Sequence, residues 1–476
     1  MLNNNRHYQH IFQENSFLLK IAQITQEIGT EAYLVGGFVR DLLLDRPCKD
    51  LDIVCIGSGV DFAKKLAHQL DEKINIIQFK NFGTAMFRYE DWEVEIVGAR
   101  KESYQRDSRK PVVENGTLED DQNRRDFTIN ALAISLNKEN LGTLLDPFGG
   151  LEDLRKKNIR TPLNPDVTFS DDPLRMMRAI RFASQLGFDI VPETFEAIIK
   201  NKERIKIVSQ ERITDELNKI ILSNPPSYGF KLLFHSGLLH LIFPEMVALQ
   251  GVEAVGDKRH KDNFYHTLQV LDNLSEKTSD LWLRWAAILH DIAKPATKRF
   301  DEKVGWTFHG HEEKGAKMTP YLFRKLKLPM GENMRRVQKL VRLHLRPIAL
   351  VKDNITDSAI RRLLFEAGED LEALMMLCRA DITSKDHQKV KKYLANFDKV
   401  EQKLKEIEEK DKLRNFQPVI TGEIIMQTFN LKPCRKVGLI KNEIREAILE
   451  GEISNQYEEA FDFMLKIGAK YGLKAK

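Results

Sequence analysis

Between Tyr33 and Gly57 the chain reads YLVGGFVRDLLLDRPCKDLDIVCIG, with two glycines opening a helix-like run and two aspartates, Asp50 and Asp52, one residue apart in an apolar stretch. No other stretch restricts the fold as tightly. Residues i and i+2 of a strand point to one face. Asp50 and Asp52 are therefore expected to project together, with Leu51 and Ile53 on the opposite face, in the core. Two bare carboxylates so close repel unless a cation sits between them or one is protonated. Hard oxygen ligands on a rigid strand suit Mg²⁺, which keeps waters and takes phosphate oxygens as its remaining ligands. Gly36 and Gly37 permit close backbone approach and leave N–H groups free at a helix N-terminus, a cradle for phosphate. The plain alternative is a turn followed by a solvated edge strand; both halves occurring on consecutive elements favours the cation and phosphate reading. A two-metal site needs a further carboxylate. DWEVEIVGARKE offers Glu93 and Glu95 on one strand face. Glu95 is preferred because it lies inside the apolar run VEIV, where an unpaired charge is costly, and Glu93 is the alternative.

The chain has 476 residues, which predicts two to four domains, and 42% hydrophobic residues supply their cores. A net charge of +4 means that any basic surface must come from local clustering. Four cysteines, Cys48, Cys55, Cys378 and Cys434, show no CxxC spacing, so neither a disulfide framework nor a structural zinc site is expected. The start, MLNNNRHYQHIFQENSF, has no apolar leader core, and no apolar run reaches membrane-spanning length. The expectation is a soluble cytoplasmic protein that does not engage a membrane. From about Ala32 to Leu145, short β-rich runs mix with a helix-like DFAKKLAHQL, an α/β or α+β layer. From Leu151 to about Leu249 the pattern turns helical, and it stays so through a histidine-rich region from about Lys258 to His387. VKKYLANFDKVEQKLKEIEEKDKL then reads as a charged helix leading to a C-terminal helical segment, a plain helical hairpin whose basic stretch LKPCRKVG has RNA phosphate as its other possible use.

GGFVRD…KDLDIV, RRDFTINALA, DPFGGLEDL…IRT and DDPLRMMRAIRFA together resemble, in order, the motifs of the tRNA nucleotidyltransferase/poly(A) polymerase family, the bacterial-type class within the DNA polymerase β nucleotidyltransferase superfamily. The resemblance runs over about residues 30 to 225. It implies an α+β fold: a polymerase-β-like head with a small mixed sheet, followed by an all-α body. The implied organisation is a catalytic head over 1–150, a helical neck that selects the base and binds RNA over 151–255, a histidine-rich domain over 256–390 and a helical tail over 391–476. It implies tRNA as partner, CTP and ATP as substrates, and Mg²⁺ held by Asp50 and Asp52 with help from Glu95. By the same resemblance, Gly36, Gly37 and Arg40 cradle phosphates, Arg124 or Arg125 meets the triphosphate, and Asp126 and Asn130 hold the ribose or the loop. The alternative for Asp126 with Thr128 is ordinary capping of a helix start.

Asp172, Arg175, Arg178 and Arg181 fall at three-residue steps, along one helical face. Such a stripe is either a solvated face or a polar edge aimed at a ligand. Cytosine and adenine both set an exocyclic amine beside a ring-nitrogen acceptor, whereas guanine and uracil set a carbonyl beside an N–H. A carboxylate only accepts and a guanidinium only donates. An Asp–Arg pair therefore satisfies C and A and leaves unpaired groups against G or U. The family pattern is an acidic pair followed by Arg, matched here by Asp171, Asp172 and Arg175, with Asp171 where the pattern has Glu; Arg178 and Arg181 are implied at the phosphates or base pocket. Lys101 to Gln122 is mixed in charge and turn-rich, the composition of a mobile surface loop. In the family it resembles, enzymes that add the terminal A carry such a loop here and those that add only CC have it shortened, so by that resemblance its full length implies addition of A as well as of CC.

The region after Lys258 strings together His266, the doublet His290–Asp291, His311, His344 and Asp381. A His–Asp doublet closing the apolar run WAAIL carries two polar side chains into a buried helix end, and the set offers imidazole and carboxylate ligands for one or two divalent metals. The order resembles the HD-domain phosphohydrolases. That implies either a metal-dependent hydrolase of 2′,3′-cyclic phosphates or phosphomonoesters at RNA ends, or a retained scaffold that docks tRNA. The leading expectation is template-independent addition of C, C and A to the tRNA 3′ end. A poly(A) polymerase, an enzyme adding only CC or only A, and a mainly hydrolytic HD protein stand as alternatives.

Overall fold

The computed structural model describes residues 8–79, 83–103, 112–252, 254–255, 258–259, 262–352, 356–383, 386–411 and 416–475. The chain divides into two compact units, Met1–Val247 and Ala248–Lys476. Among the described residues, no helix is long and apolar enough to cross a membrane.

The first unit is built on a mixed sheet of seven strands: β1 (Ala32–Val35), β2 (Asp50–Cys55), β3 (Ile77–Phe79), β4 (Thr84–Tyr89), β5 (Trp92–Gly98), β6 (Ala133–Ser135) and β7 (Leu144–Leu145), in the order β3-β4-β5-β2-β1-β6-β7. Among the described residues of this sheet, only β2 and β5 run parallel; the other pairs are antiparallel. Leu51 and Ile53 of β2 and Val94 and Ile96 of β5 are buried, and helix α1 (Gly59–Leu70) packs Phe62, Ala63 and Leu66 onto β4 and β5. The opposite face carries the aspartates at one end and, at Val54, joins a small cluster with Tyr33, Val35, Ala99 and Ala133. Period-two alternation thus splits β2 into an apolar and a carboxylate face, as its sequence predicts.

Helix α2 (Leu118–Asn123) starts at a capping box formed by Thr117 and Asp120. The stretch expected to be surface loop is therefore ordered at its ends: Arg100–Ser103 pairs with Val112–Asn115 before α2 begins. Residues 104–111 lie outside the described residues. Helix α3 (Leu174–Leu186) buries Met176, Met177, Ala179, Ile180 and Ala183 and packs on α4 (Gln210–Ile221). Arg175, Arg178 and Arg181 are left along its half-buried edge.

In the second unit, α5 (Asn263–Ser275) and α6 (Leu281–Leu289) are capped by Asp262 and Asp280, each accepting two backbone N–H groups of its first turn. Helices α7 (His311–Lys325), α8 (Glu332–Leu343) and α9 (Leu371–Asp381) complete the surround of a core that includes Phe264, Trp285, Phe323 and Leu377, all fully buried.

Candidate functional site

The parallel pairing of β2 with β5 sets Asp50 beside Glu93 and Asp52 beside Glu95, on one face of the sheet. Glu93 is engaged by Arg88, whose Nε and Nη2 donate to its carboxylate at 3.0 and 2.8 Å. Glu95 is exposed beside Asp52, so the cost of a buried unpaired charge does not apply to it; what keeps it the candidate is its register opposite Asp52, with Arg88 occupying Glu93. Burial raises the Asp52 pKa; Arg125 lowers it, Glu95 and Asp50 raise it again, and the Gly37 N–H lowers it, leaving it at about 6. A carboxylate raised chiefly by burial, and further by its carboxylate neighbours, is short of positive charge, the condition a divalent cation relieves. The oxygen-only donor set fits magnesium.

Helix α1's predecessor in the chain is the short turn-and-helix Gly36–Leu43. Gly36 has φ +71°, and a Cβ there would stand 2.9 Å from Asp52 Oδ2 and 3.0 Å from Arg125 Nη1. Glycine is thus required twice, by backbone conformation and by space. Arg124 and Arg125 line a cavity of about 240 Å³ together with Asp52, Glu95, Thr84 and Arg100. Both guanidiniums are gripped by Asp121, a fully buried carboxylate that the sequence reading did not single out. It stands three and four residues before them, the spacing at which helical neighbours meet, and that was the available signal.

Several placements differ from expectation. Arg40 is buried, with Nε and Nη2 on Asp41 at 3.0 and 2.8 Å and Nη1 on Asn130 Oδ1 at 2.8 Å. These contacts tie the Gly36–Leu43 helix to the Thr128–Asn130 turn. RRDFTIN does not start a helix: Thr128–Asn130 is one 3₁₀ turn with no side-chain cap, and the Thr128 hydroxyl donates to Asp153. Asp126 and Asn130 are buried. Asp126 accepts from the Phe127 N–H at 2.9 Å, from Asn130 Nδ2 at 3.0 Å and from Arg178 Nε at 2.7 Å, so these residues hold the loop. Arg181 pairs with buried Glu216 at 2.6 Å. The two arginines expected at phosphates or the base pocket are thus each paired with a buried carboxylate, which offsets the cost of desolvating that carboxylate.

Asp172 accepts the Leu174 N–H at 3.2 Å at the start of α3. Arg175 Nη2 donates to the Arg124 carbonyl at 2.5 Å. The proposed base-reading arginine is thereby tied to the cavity-lining pair. Burial raises the pKa of Asp171, against Arg175 and Arg204 nearby.

In the second unit six side chains converge from five helices or their ends. Their ligand atoms form two groups, His266 with His290 and Asp381, and Asp291 with His311 and His344, each within 4.8 Å. His290, His311 and His344 each donate from Nδ1 to the carbonyl three residues back, at 2.7, 2.7 and 2.6 Å. That bond fixes the tautomer and turns Nε2 inward. All three Nε2 atoms are buried without a hydrogen bond, and those of His290 and His311 face the Asp291 carboxylate at 3.2 Å. His266 Nδ1 sits 2.9 Å from Thr383 Oγ1 and its Nε2 2.9 Å from Asp381. Burial opposes charging His290, yet Asp291 and Asp381 lift its pKa to about 9; burial and the neighbouring His290 hold His344 down at about 4. Inward-turned imidazole nitrogens beside ionised carboxylates form two candidate groups for holding a divalent metal.

Three family models match in succession: the Poly A polymerase head domain over residues 32–160, the probable RNA and SrmB-binding site of polymerase A over 187–249, and the HD domain over 263–386. The A-adding tRNA nucleotidyltransferase of Deinococcus radiodurans is 33% identical over 72% of this chain and 77% of its own length. The chain belongs to the tRNA nucleotidyltransferase family. Another tRNA nucleotidyltransferase relative, the multifunctional CCA protein of Nitrosococcus oceani, is 32% identical over 74% of this chain and 84% of its own. A solved tRNA nucleotidyltransferase, crystallised with a primer tRNA and an incoming ATP analogue, is 25% identical, with a TM-score of 0.57 over 80% of this chain and 99% of that one.

Proposed function

We propose that this chain completes the tRNA 3′ end, adding C, C and A from CTP and ATP without a template. It acts in the cytoplasm, a compartment that suits its four free thiols. The observation that carries the reading is the carboxylate face of β2 and β5 beside the Arg124–Arg125 pair. Asp50 and Asp52, with Glu95, hold magnesium, which when bound neutralises charge on the triphosphate and on the attacking oxygen. The RNA 3′-hydroxyl gives up its proton to solvent and attacks the α-phosphorus; a new P–O bond forms, the α–β bridge breaks, and pyrophosphate leaves. Arg124 and Arg125 offer N–H groups to the departing phosphates, and the Gly36–Gly37 turn allows them close to the backbone. Asp172 and Arg175 accept from and donate to the amine and ring nitrogen that C and A share, and present no match to G or U.

The test is extension of tRNA transcripts ending before CCA, after C and after CC, with each nucleotide singly and with CTP and ATP together. Ordered C, C, A followed by a stop is expected, and Asp50→Ala should reduce incorporation by at least about 10³-fold. Addition of A alone or CC alone would restrict the assignment to one half of the reaction, and long A tails would move it to poly(A) synthesis. Equal incorporation by Asp50→Ala would refute the metal-clamp reading.

A second reading follows from the inward Nε2 atoms of His290, His311 and His344. The HD centre holds one or two divalent ions and hydrolyses phosphate esters such as 2′,3′-cyclic phosphates or phosphomonoesters at RNA ends.

A further inference from the structure

The geometry points to Asp121 as the positioning residue that sets the Arg124–Arg125 pair as a clamp for the nucleotide's polyphosphate; this rests on the nucleotidyl-transfer reading above. Two adjacent arginines repel one another and, left to themselves, turn apart into water. Here they lie side by side because one carboxylate takes both. Asp121 Oδ1 accepts from Arg124 Nε at 3.0 Å and, at a shorter distance, from Arg124 Nη2. Asp121 Oδ2 accepts from Arg125 Nε at 3.0 Å and lies 2.9 Å from Arg125 Nη2. Each guanidinium is held along one edge, which fixes its plane. The anchor itself cannot drift. Asp121 is fully buried, its N–H donates to the Thr117 carbonyl at 3.1 Å, and the next residue, Gln122, donates from its side chain to the Ala131 carbonyl at 2.7 Å.

The fixed planes have a direction. Arg125 Nη1 lies against Gly36, 3.0 Å from where a Cβ would stand, and 3.4 Å from the Asn130 carbonyl. Both arginines line the cavity shared with Asp52 and Glu95. A clamp of two preset forks beside a carboxylate face recognises a chain of phosphates, whichever base it carries. Burial works to raise the Asp121 pKa, but Arg125 and Arg124 outweigh it and keep the group ionised. A carboxylate that merely pinned the end of α2 would need only one of the two arginines. Holding both, in opposite halves of one carboxylate, is a positioning arrangement.

The experiment compares the full wild-type chain with Asp121→Asn, which keeps the shape and removes the charge. Its readouts are KM and kcat for ATP and CTP, KM for tRNA, and calorimetric binding of inorganic tripolyphosphate and of cytidine monophosphate. Expected are roughly tenfold or larger rises in KM for both nucleotides and in the tripolyphosphate dissociation constant, with tRNA and cytidine monophosphate within about twofold. In an Arg125→Gln background, Asp121→Asn should add less than about threefold, because the two act as one unit. Unchanged tripolyphosphate binding, or an equal loss for every ligand, would overturn the proposal. Should Asp121→Asn not fold, Asp121→Ser is measured in the same way and must show the same split. Tripolyphosphate binding needs no turnover, so a wild-type chain that extends no tRNA would sink the nucleotidyl-transfer reading while still reporting on Asp121.

Discussion

Asp126 shows how a buried charge sets a pH limit. Burial alone would raise its pKa, but Arg178, Asn130 and Arg175 outweigh that and bring it to about 2. The folded value lies below the unfolded one. The ionised group therefore contributes stability that is fully present above about pH 4 and is lost as pH falls toward 2. The shift corresponds to about 2 kcal/mol. Asp126→Asn should be less stable at pH 7 by at least that amount, since it also leaves Arg178 without its partner. The difference from wild type should shrink steadily below pH 4. Urea midpoints from pH 7 to pH 2 check this, and a constant difference would refute it. At this scale, Asp50 and Asp52 were legible because a spacing of two carries its own geometry. Asp126 was named only through the family resemblance, with ribose and loop both open, since its partner Arg178 is 52 residues away and no local spacing shows their meeting.

Helix α3 was readable in outline, as apolar positions at helical spacing with an arginine stripe. Which arginine faces a ligand was not readable, because three-residue steps place all of them near one face. Packing separates them. Arg178 is claimed by Asp126 and Arg181 by Glu216, whereas Arg175 reaches the backbone of Arg124. Arg175→Ala should therefore lower CTP and ATP incorporation by at least about tenfold and narrow the preference over UTP and GTP by a similar factor. Arg181→Ala should chiefly lower the melting temperature. Single-nucleotide incorporation and thermal melts of both variants check the contrast. Helix α6 teaches the converse. WAAIL followed by His290–Asp291 signalled a polar helix end in a buried place, and both residues are buried there.

Each of the two units has its own apolar core, so the HD centre can be perturbed by itself. Three of the four tryptophans, Trp282, Trp285 and Trp306, lie in the second unit, and fluorescence melts report chiefly on it. A divalent ion at about a hundred times its dissociation constant stabilises the folded form by about 2.7 kcal/mol. Chelation should lower that transition by several degrees, restored by added metal. His311→Ala should abolish the shift while leaving nucleotide addition within about threefold. No shift on chelation would argue against a metal there. The sequence alone determined the alternation that puts two carboxylates on one strand face, the helical body, and the His and Asp set, because each is a local period or a nearby spacing. The tertiary structure decided what those residues meet: Asp52 with Glu95 across a parallel pair, Arg40 with Asp41 and Asn130, Arg178 with Asp126, and six metal-ligand candidates drawn from five helices to one centre. Strand register and helix packing are set by burial summed over the whole core, and no short window of sequence contains that sum.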